Sequence, residues 1–168
     1  VALGMLDRRN GQYSNTPDTD LFLDQAKPTY VGGWLEMVNS RLYRFWGNLT
    51  EGLRTGLPQN EVKNGKNFFE ELYSDPQRLK AFLSSMTGLS MGANKKIAAQ
   101  FPWDQYQTFI DVGSAQGGLA VQVALAHEDI TGGGFDLPAT GPVFKEYVQS
   151  FGLSPRLRFH PGNFFSDS

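Results

Sequence analysis

The stretch FIDVGSAQGGLAVQVALAH, residues 109–127, changes character halfway along. Phe109 to Gly113 read as a buried strand that stops on a carboxylate, Asp111, and a glycine. A small turn carrying Gly117 and Gly118 then opens an apolar, helix-forming run over 117–127. In a parallel sheet, the first strand-to-helix turn is where a nucleotide-like ligand meets the backbone. Gly113 accepts a conformation or a close contact that any side chain would obstruct. A helix start freed by Gly117 and Gly118 offers unpaired N–H groups and a dipole that favour a carboxylate or phosphate. Tight packing of strand on helix, with no ligand at all, accounts for the same glycines.

Downstream, the pattern predicts a short strand over 133–136, a helix over about 142–151 and a strand over 156–160. Strand, helix, strand, helix, strand implies parallel pairing with right-handed crossovers. Asp136 stands 25 residues after Asp111 and closes the second strand in GGGFDLP. An acid there accepts two charge-assisted hydrogen bonds from a ribose diol, each of order 1.5–3 kcal/mol; an exposed loop aspartate before Leu137-Pro138 is the plainer reading. After the third strand, PGNFF places Asn163 where a carboxamide hydrogen-bonds an adenine edge, with Phe164 on the ring face. Turn chemistry explains Pro161-Gly162-Asn163 equally well. A dinucleotide fingerprint requires Gly-x-Gly-x-x-Gly, whereas Gly113 is followed by Ser114-Ala115-Gln116-Gly117, so Ala115 sits where pyrophosphate needs the second glycine.

Upstream the rhythm is helical. VGGWLEMVNSRLYRFWGNLTEGLRT, residues 31–55, carries Trp34, Leu35, Val38, Leu42, Phe45, Leu49 and Leu53 at amphipathic spacing. Residues 67–101 predict two or three helices, broken near Ser74-Asp75-Pro76 with a new cap there. Their stripe Phe68, Phe69, Phe82 and Met86 reads as core, or in part as the lining of an apolar cleft. At the start, a helix end at Gly4, two short strands about Asn10-Gly11 and a helix opened by Thr16-Pro17 resemble the tail of a winged-helix unit. Arg8 and Arg9 are a thin basic patch, which favours packing or dimerisation over DNA. A boundary is expected near Pro102-Trp103.

The 168 residues are 40% hydrophobic and 19% charged with a net charge of -2, ordinary globular usage. That balance exerts no overall pull toward nucleic acid or an anionic membrane. No run approaches the roughly 18 apolar residues of a membrane span, and no secretory leader is expected. The absence of cysteine excludes disulfides and cysteine zinc sites, and fits a cytoplasmic location. VALGML at one end and HPGNFFSDS at the other read as cuts, so an excerpt of a longer protein is expected.

DVGSAQGGLAVQVALAH, GFDLP and PGNFF resemble the S-adenosylmethionine-binding segments of the caffeic-acid-type O-methyltransferases, especially their bacterial small-molecule relatives. LYRFWGNLTEGLRTG, FFEELYSDPQRLKAFLSSMTGLS and FPWDQYQTF resemble that family's helical region, and GQYSNTPDTDLFL the end of its winged-helix-like dimerisation domain. The resemblance implies an α/β fold: a helical N-terminal region with a winged-helix remnant, then the first half of a Rossmann-like methyltransferase sheet. It divides the chain into a dimerisation remnant (1–26), a helical linker with the acceptor pocket (27–102) and a partial S-adenosylmethionine-binding domain (103–168). It places Gly113 at the cofactor's methionine end, Ser90 near its carboxylate, Asp136 on the ribose, and Leu137, Asn163 and Phe164 about the adenine. Met86, Phe82 and Met37 fall where relatives line the acceptor pocket. Asn163 stands where the family has an aspartate; its amide still offers an acceptor oxygen to the adenine amine, so cofactor binding is expected to be weakened rather than abolished.

The implied function is methyl transfer from S-adenosylmethionine to a hydroxyl of a small aromatic or polyketide-like molecule, in a homodimeric full-length protein. The family's catalytic histidine follows a fourth strand; neither His127 nor His160 matches it, so no catalytic residue and no metal ligand is assigned. The first strand is expected to be an unpaired apolar edge, and the 168 residues alone to be inactive. The alternatives are a non-catalytic methyltransferase-like binding protein and, disfavoured by Ala115, an NAD-dependent oxidoreductase; a winged-helix DNA regulator fits least.

Overall fold

A computed structural model of the chain describes residues 1–65 and 68–167, with the side chains of Asn64, Phe68 and Glu70 outside the description. Contacts divide it into two compact units, Val1–Lys66 and Asn67–Ser168.

In the first unit, β1 (Leu6–Arg9) and β2 (Gln12–Asn15) form an antiparallel hairpin. Its turn residues Asn10 and Gly11 have φ of 51° and 80°, the left-handed pair that a two-residue hairpin turn needs. Arg8 lies opposite Tyr13 with its guanidinium 5.6 Å from the ring centroid, so part of the thin basic patch is used within the hairpin itself. Pro17 opens α1 (Pro17–Leu23) as expected, but Thr16 makes no side-chain cap; its hydroxyl bonds Thr19 and the Met5 carbonyl instead. The amphipathic run of 31–55 is not one helix. It is α2 (Gly32–Met37), a π-helical segment over Val38–Leu42, α3 (Tyr43–Trp46) and α4 (Leu49–Thr55). Tyr43, Trp46, Leu49 and Leu53 are exposed along it. Arg41 and Glu61 form a bidentate, mostly buried ion pair, and Met37 packs beside that arginine.

The second unit carries the parallel sheet. Helix α5 (Phe68–Tyr73) ends before Asp75, whose carboxylate accepts the N–H groups of Gln77 and Arg78 and caps the 25-residue α6 (Pro76–Gln100). Then follow β3 (Thr108–Val112), α7 (Gly118–Ala126), β4 (Thr131–Asp136), α8 (Gly141–Ser150) and β5 (Leu157–Pro161). The three strands are parallel in the order β3-β4-β5, so β3 lies at an edge.

Strand β4 begins two residues before the expected strand because its glycines, poor strand formers, are demanded by close packing. A Cβ on Gly134 would lie 2.2 Å from Ser114 Oγ and 2.5 Å from the Phe144 ring. Helices α7 and α8 cover one sheet face through Ala120, Val121, Ala124, Phe144 and Val148, packed on Phe109, Leu157 and Phe159. A buried Val or Phe of this kind contributes about 1.5–3 kcal/mol. The alternate residues of β3, Ile110 and Val112, are 50% and 56% exposed.

Candidate active site

The turn after β3 takes a left-handed backbone at Gly113, Ala115 and Gly117, with φ of 76°, 52° and 90°. For Ala115 this conformation is strained, of order 1–2 kcal/mol. The two glycines serve different ends. Nothing lies within 4 Å of a Cβ built on Gly113, whereas one on Gly117 would strike the Phe144 ring at 2.7 Å. Packing explains Gly117; Gly113 is free of packing and faces open space.

Asp136 joins the three strand ends. Its Oδ2 accepts the Ala115 N–H at 2.8 Å, and its Oδ1 accepts the Leu137 N–H at 2.7 Å. The Gly113 N–H donates to the carbonyl of Phe135 at 2.9 Å, and the Gly162 N–H to the carbonyl of Asp136 at 2.9 Å. The strained residue thus brings an N–H onto the acid, and the acid sits beside the glycine turn. Each carboxylate oxygen keeps a lone pair for a further donor.

These ends open on a cavity of about 930 Å³. Gly113, Asp136, Leu137, Asn163, Phe164 and Ser90, each expected from sequence, line it together with Phe82 and Met86. Met37 belongs to the other unit, where it is buried. Phe69 also lines the cavity, while the side chain of Phe68 lies outside the described residues.

Several lining residues escape a reading of the sequence. Thr87 and Asn94 share a face of α6 with Ser90 and lie against Gly118; their spacing of three and four residues is the available signal. Tyr73 reads in sequence as one more aromatic of a helix, but it borders the cavity, and burial followed by the charge of Asp136 pushes its phenol up to about 12. Asp111 marks the strand in sequence; in the fold it points to the helix-covered side, half-buried, and burial followed by Asp136 pushes its carboxyl up to about 6. Ser114 Oγ is buried without a hydrogen-bond partner among the described residues and borders the same cavity.

Among the described residues lining the cavity, Asp111 and Asp136 are carboxylates and none is Lys, Arg or His. Such a site attracts a cation and disfavours a phosphate or pyrophosphate. The two histidines are elsewhere: His127 Nε2 lies 2.8 Å from the Ala98 carbonyl, and His160 is exposed on β5.

Residues 46–168 match the O-methyltransferase domain family. The tetracenomycin polyketide synthesis 8-O-methyl transferase TcmO of Streptomyces glaucescens is 38% identical, over 99% of this chain and 49% of that protein. The N,N-dimethyltransferase OxyT of Streptomyces rimosus is 34% identical, over 99% and 49%. The O-methyltransferase NcsB1 from neocarzinostatin biosynthesis, solved with S-adenosylmethionine and 2-hydroxy-5-methyl naphthoic acid, superposes with a TM-score of 0.75 at 29% identity, over 99% of this chain and 52% of that one. The chain spans about half the length of the curated relatives it matches. By a family match that runs through the sheet and the cavity, the chain belongs to the O-methyltransferase family.

Proposed function

We propose that the chain supplies the donor-binding part of an S-adenosylmethionine-dependent O-methyltransferase acting on a hydroxyl of a small aromatic or polyketide-like molecule. The observation that carries this reading is the cavity itself: an acid tied to a glycine turn, a second carboxylate nearby, and no basic side chain among its described lining residues. That charge balance suits a sulfonium, and it argues against the pyrophosphate of a nicotinamide dinucleotide. Asp136 would hold the ribose, Gly113 and Ser90 the methionine end, and Leu137, Asn163 and Phe164 the adenine. The buried hydroxyl of Ser114, without a hydrogen-bond partner among the described residues, fits a polar ligand atom or water at the same wall.

The donor supplies an electrophilic methyl group. The protein's part is to align an acceptor oxygen with it and to take the hydroxyl proton. Phe82, Met86 and Met37 are the acceptor-pocket residues of this reading. Among the described residues that line the cavity, none is a histidine placed to act as the base. The 168-residue chain is therefore expected to bind donor without turnover. Residues 1–26 would belong to a dimerisation domain, 27–102 to the linker and acceptor region, and 103–168 to the donor domain of a homodimer.

Calorimetry tests the reading directly. S-adenosylmethionine and S-adenosylhomocysteine should bind and NAD should not, and Asp136→Ala should weaken both by about a hundredfold or more, the loss of two charge-assisted hydrogen bonds. Binding of NAD in place of the methionine nucleosides would overturn the assignment. Methylation of nitrogen is the second reading, favoured by the 34% likeness to OxyT. Mass spectrometry of the longer protein's products, with a phenol and an amine offered together, separates the two.

A further inference from the structure

Backbone strain of the kind that Ala115 carries lasts only where the surroundings hold it from several sides. Ala115 stands at φ 52° between Gly113 and Gly117, and its N–H donates to Asp136 Oδ2 at 2.8 Å. Its methyl packs with Leu79, Leu83 and Val143, so that α6 and α8 both grip it. A second hold comes through the next residue. Gln116 is only 5% exposed, and its Oε1 accepts the Ser84 hydroxyl of α6 at 3.1 Å. Neither Gln116 nor Ser84 is among the described residues that line the cavity. Their bond instead ties the turn to the helix that carries Phe82, Met86 and Ser90 along the cavity wall.

We propose that Ser84 and Gln116 are a positioning pair, whose hydrogen bond clamps the glycine turn to α6 and so keeps the Ala115 N–H on the Asp136 carboxylate. This rests on the donor reading above and adds what keeps its acid in place. Of the two N–H groups on that carboxylate, Leu137's belongs to the adjoining residue, whereas Ala115's comes from 21 residues away. The second exists only while residue 115 keeps its left-handed backbone. Packing of the methyl fixes Cβ, and anchoring residue 116 fixes the peptide that follows. With both held, Ala115 has no room to relax. An alanine released on one side returns to the right-handed or extended regions, which turns its N–H off the acid. Asp136 is then left with one N–H, and a donor's ribose meets a less ordered acceptor.

The test combines calorimetry of S-adenosylhomocysteine with the amide proton NMR spectrum of the ligand-free chain, in which the Ala115 N–H is expected downfield because its acceptor is a carboxylate. Ser84→Ala and Gln116→Met each remove one partner of the bond. Ser84 is exposed on a helix and alanine is the better helix former, so Ser84→Ala should melt close to the native protein. Both variants should weaken binding about threefold to tenfold and move the Ala115 amide upfield. Ser84→Thr keeps the hydroxyl and should match the native protein in both readouts. Native affinity in Ser84→Ala, an Ala115 amide that does not move, or an equal loss in Ser84→Thr would each overturn the inference and leave the donor reading intact. Failure of S-adenosylhomocysteine to bind the native protein would overturn the donor reading, while the amide shift would still decide whether the pair holds the turn.

Discussion

Asp111 and Asp136 have the same chemistry and opposite circumstances. Asp136 ends its strand with two backbone N–H groups on its oxygens, whereas the carboxyl of Asp111 is held up to about 6 by burial and by the charge of Asp136. A carboxyl raised in the folded state contributes stability that is full below its unfolded value near pH 4 and is lost as pH climbs through 6. Each tenfold change in an ionisation equilibrium is worth about 1.4 kcal/mol, so Asp111→Asn is expected to be more stable than the native protein at pH 7 by up to about 3 kcal/mol. The difference should close toward pH 4, as urea unfolding at the two pH values would reveal. A residue that costs stability and faces a cavity is better explained by a cationic ligand than by folding.

At the level of elements, the α7 C-terminus is closed by an arginine from a distant part of the chain. The Arg156 guanidinium donates to the carbonyls of His127, Glu128 and Ile130 at 2.9, 2.6 and 3.2 Å, and also to that of Ala124. It thereby satisfies carbonyls at the end of α7 and in the loop leading into β4. Arg156→Ala should cost about 2–4 kcal/mol in urea unfolding, and Arg156→Lys should recover only part of it, because an ammonium lacks the planar fork. His127 is fixed nearby by the Ala98 carbonyl, a structural duty that removes it from the search for a base.

Taken whole, the second unit carries a sheet with helices α7 and α8 packed on one face. Helices α7 and α8 cover Phe109, Leu157 and Phe159, while Ile110 and Val112 of the edge strand stay half exposed. An open edge beside an apolar face favours pairing with another chain. The 168-residue chain should therefore associate as its concentration rises, and the double variant Ile110→Lys, Val112→Lys should remain dispersed by light scattering with little change in melting temperature. Unaltered association in that variant would place the contact elsewhere, with the exposed Tyr43, Trp46, Leu49 and Leu53 the next surface to test.

How far the sequence reached follows from the range of the forces involved. The alternation of strands and helices after Phe109, the Asn10-Gly11 hairpin and the Asp75 cap were legible because each depends on neighbours within a few residues. The same local chemistry picked out Gly113 and Asp136. What it could not reveal was that residues 31–55 would break into short helices, that Tyr73 would reach the cavity, or that the Asn163 amide oxygen would accept the Phe165 N–H. Those outcomes depend on which surfaces meet and on which partner each polar atom finds. Burial and hydrogen-bond direction exist only once the chain has packed, so tertiary structure alone decided them.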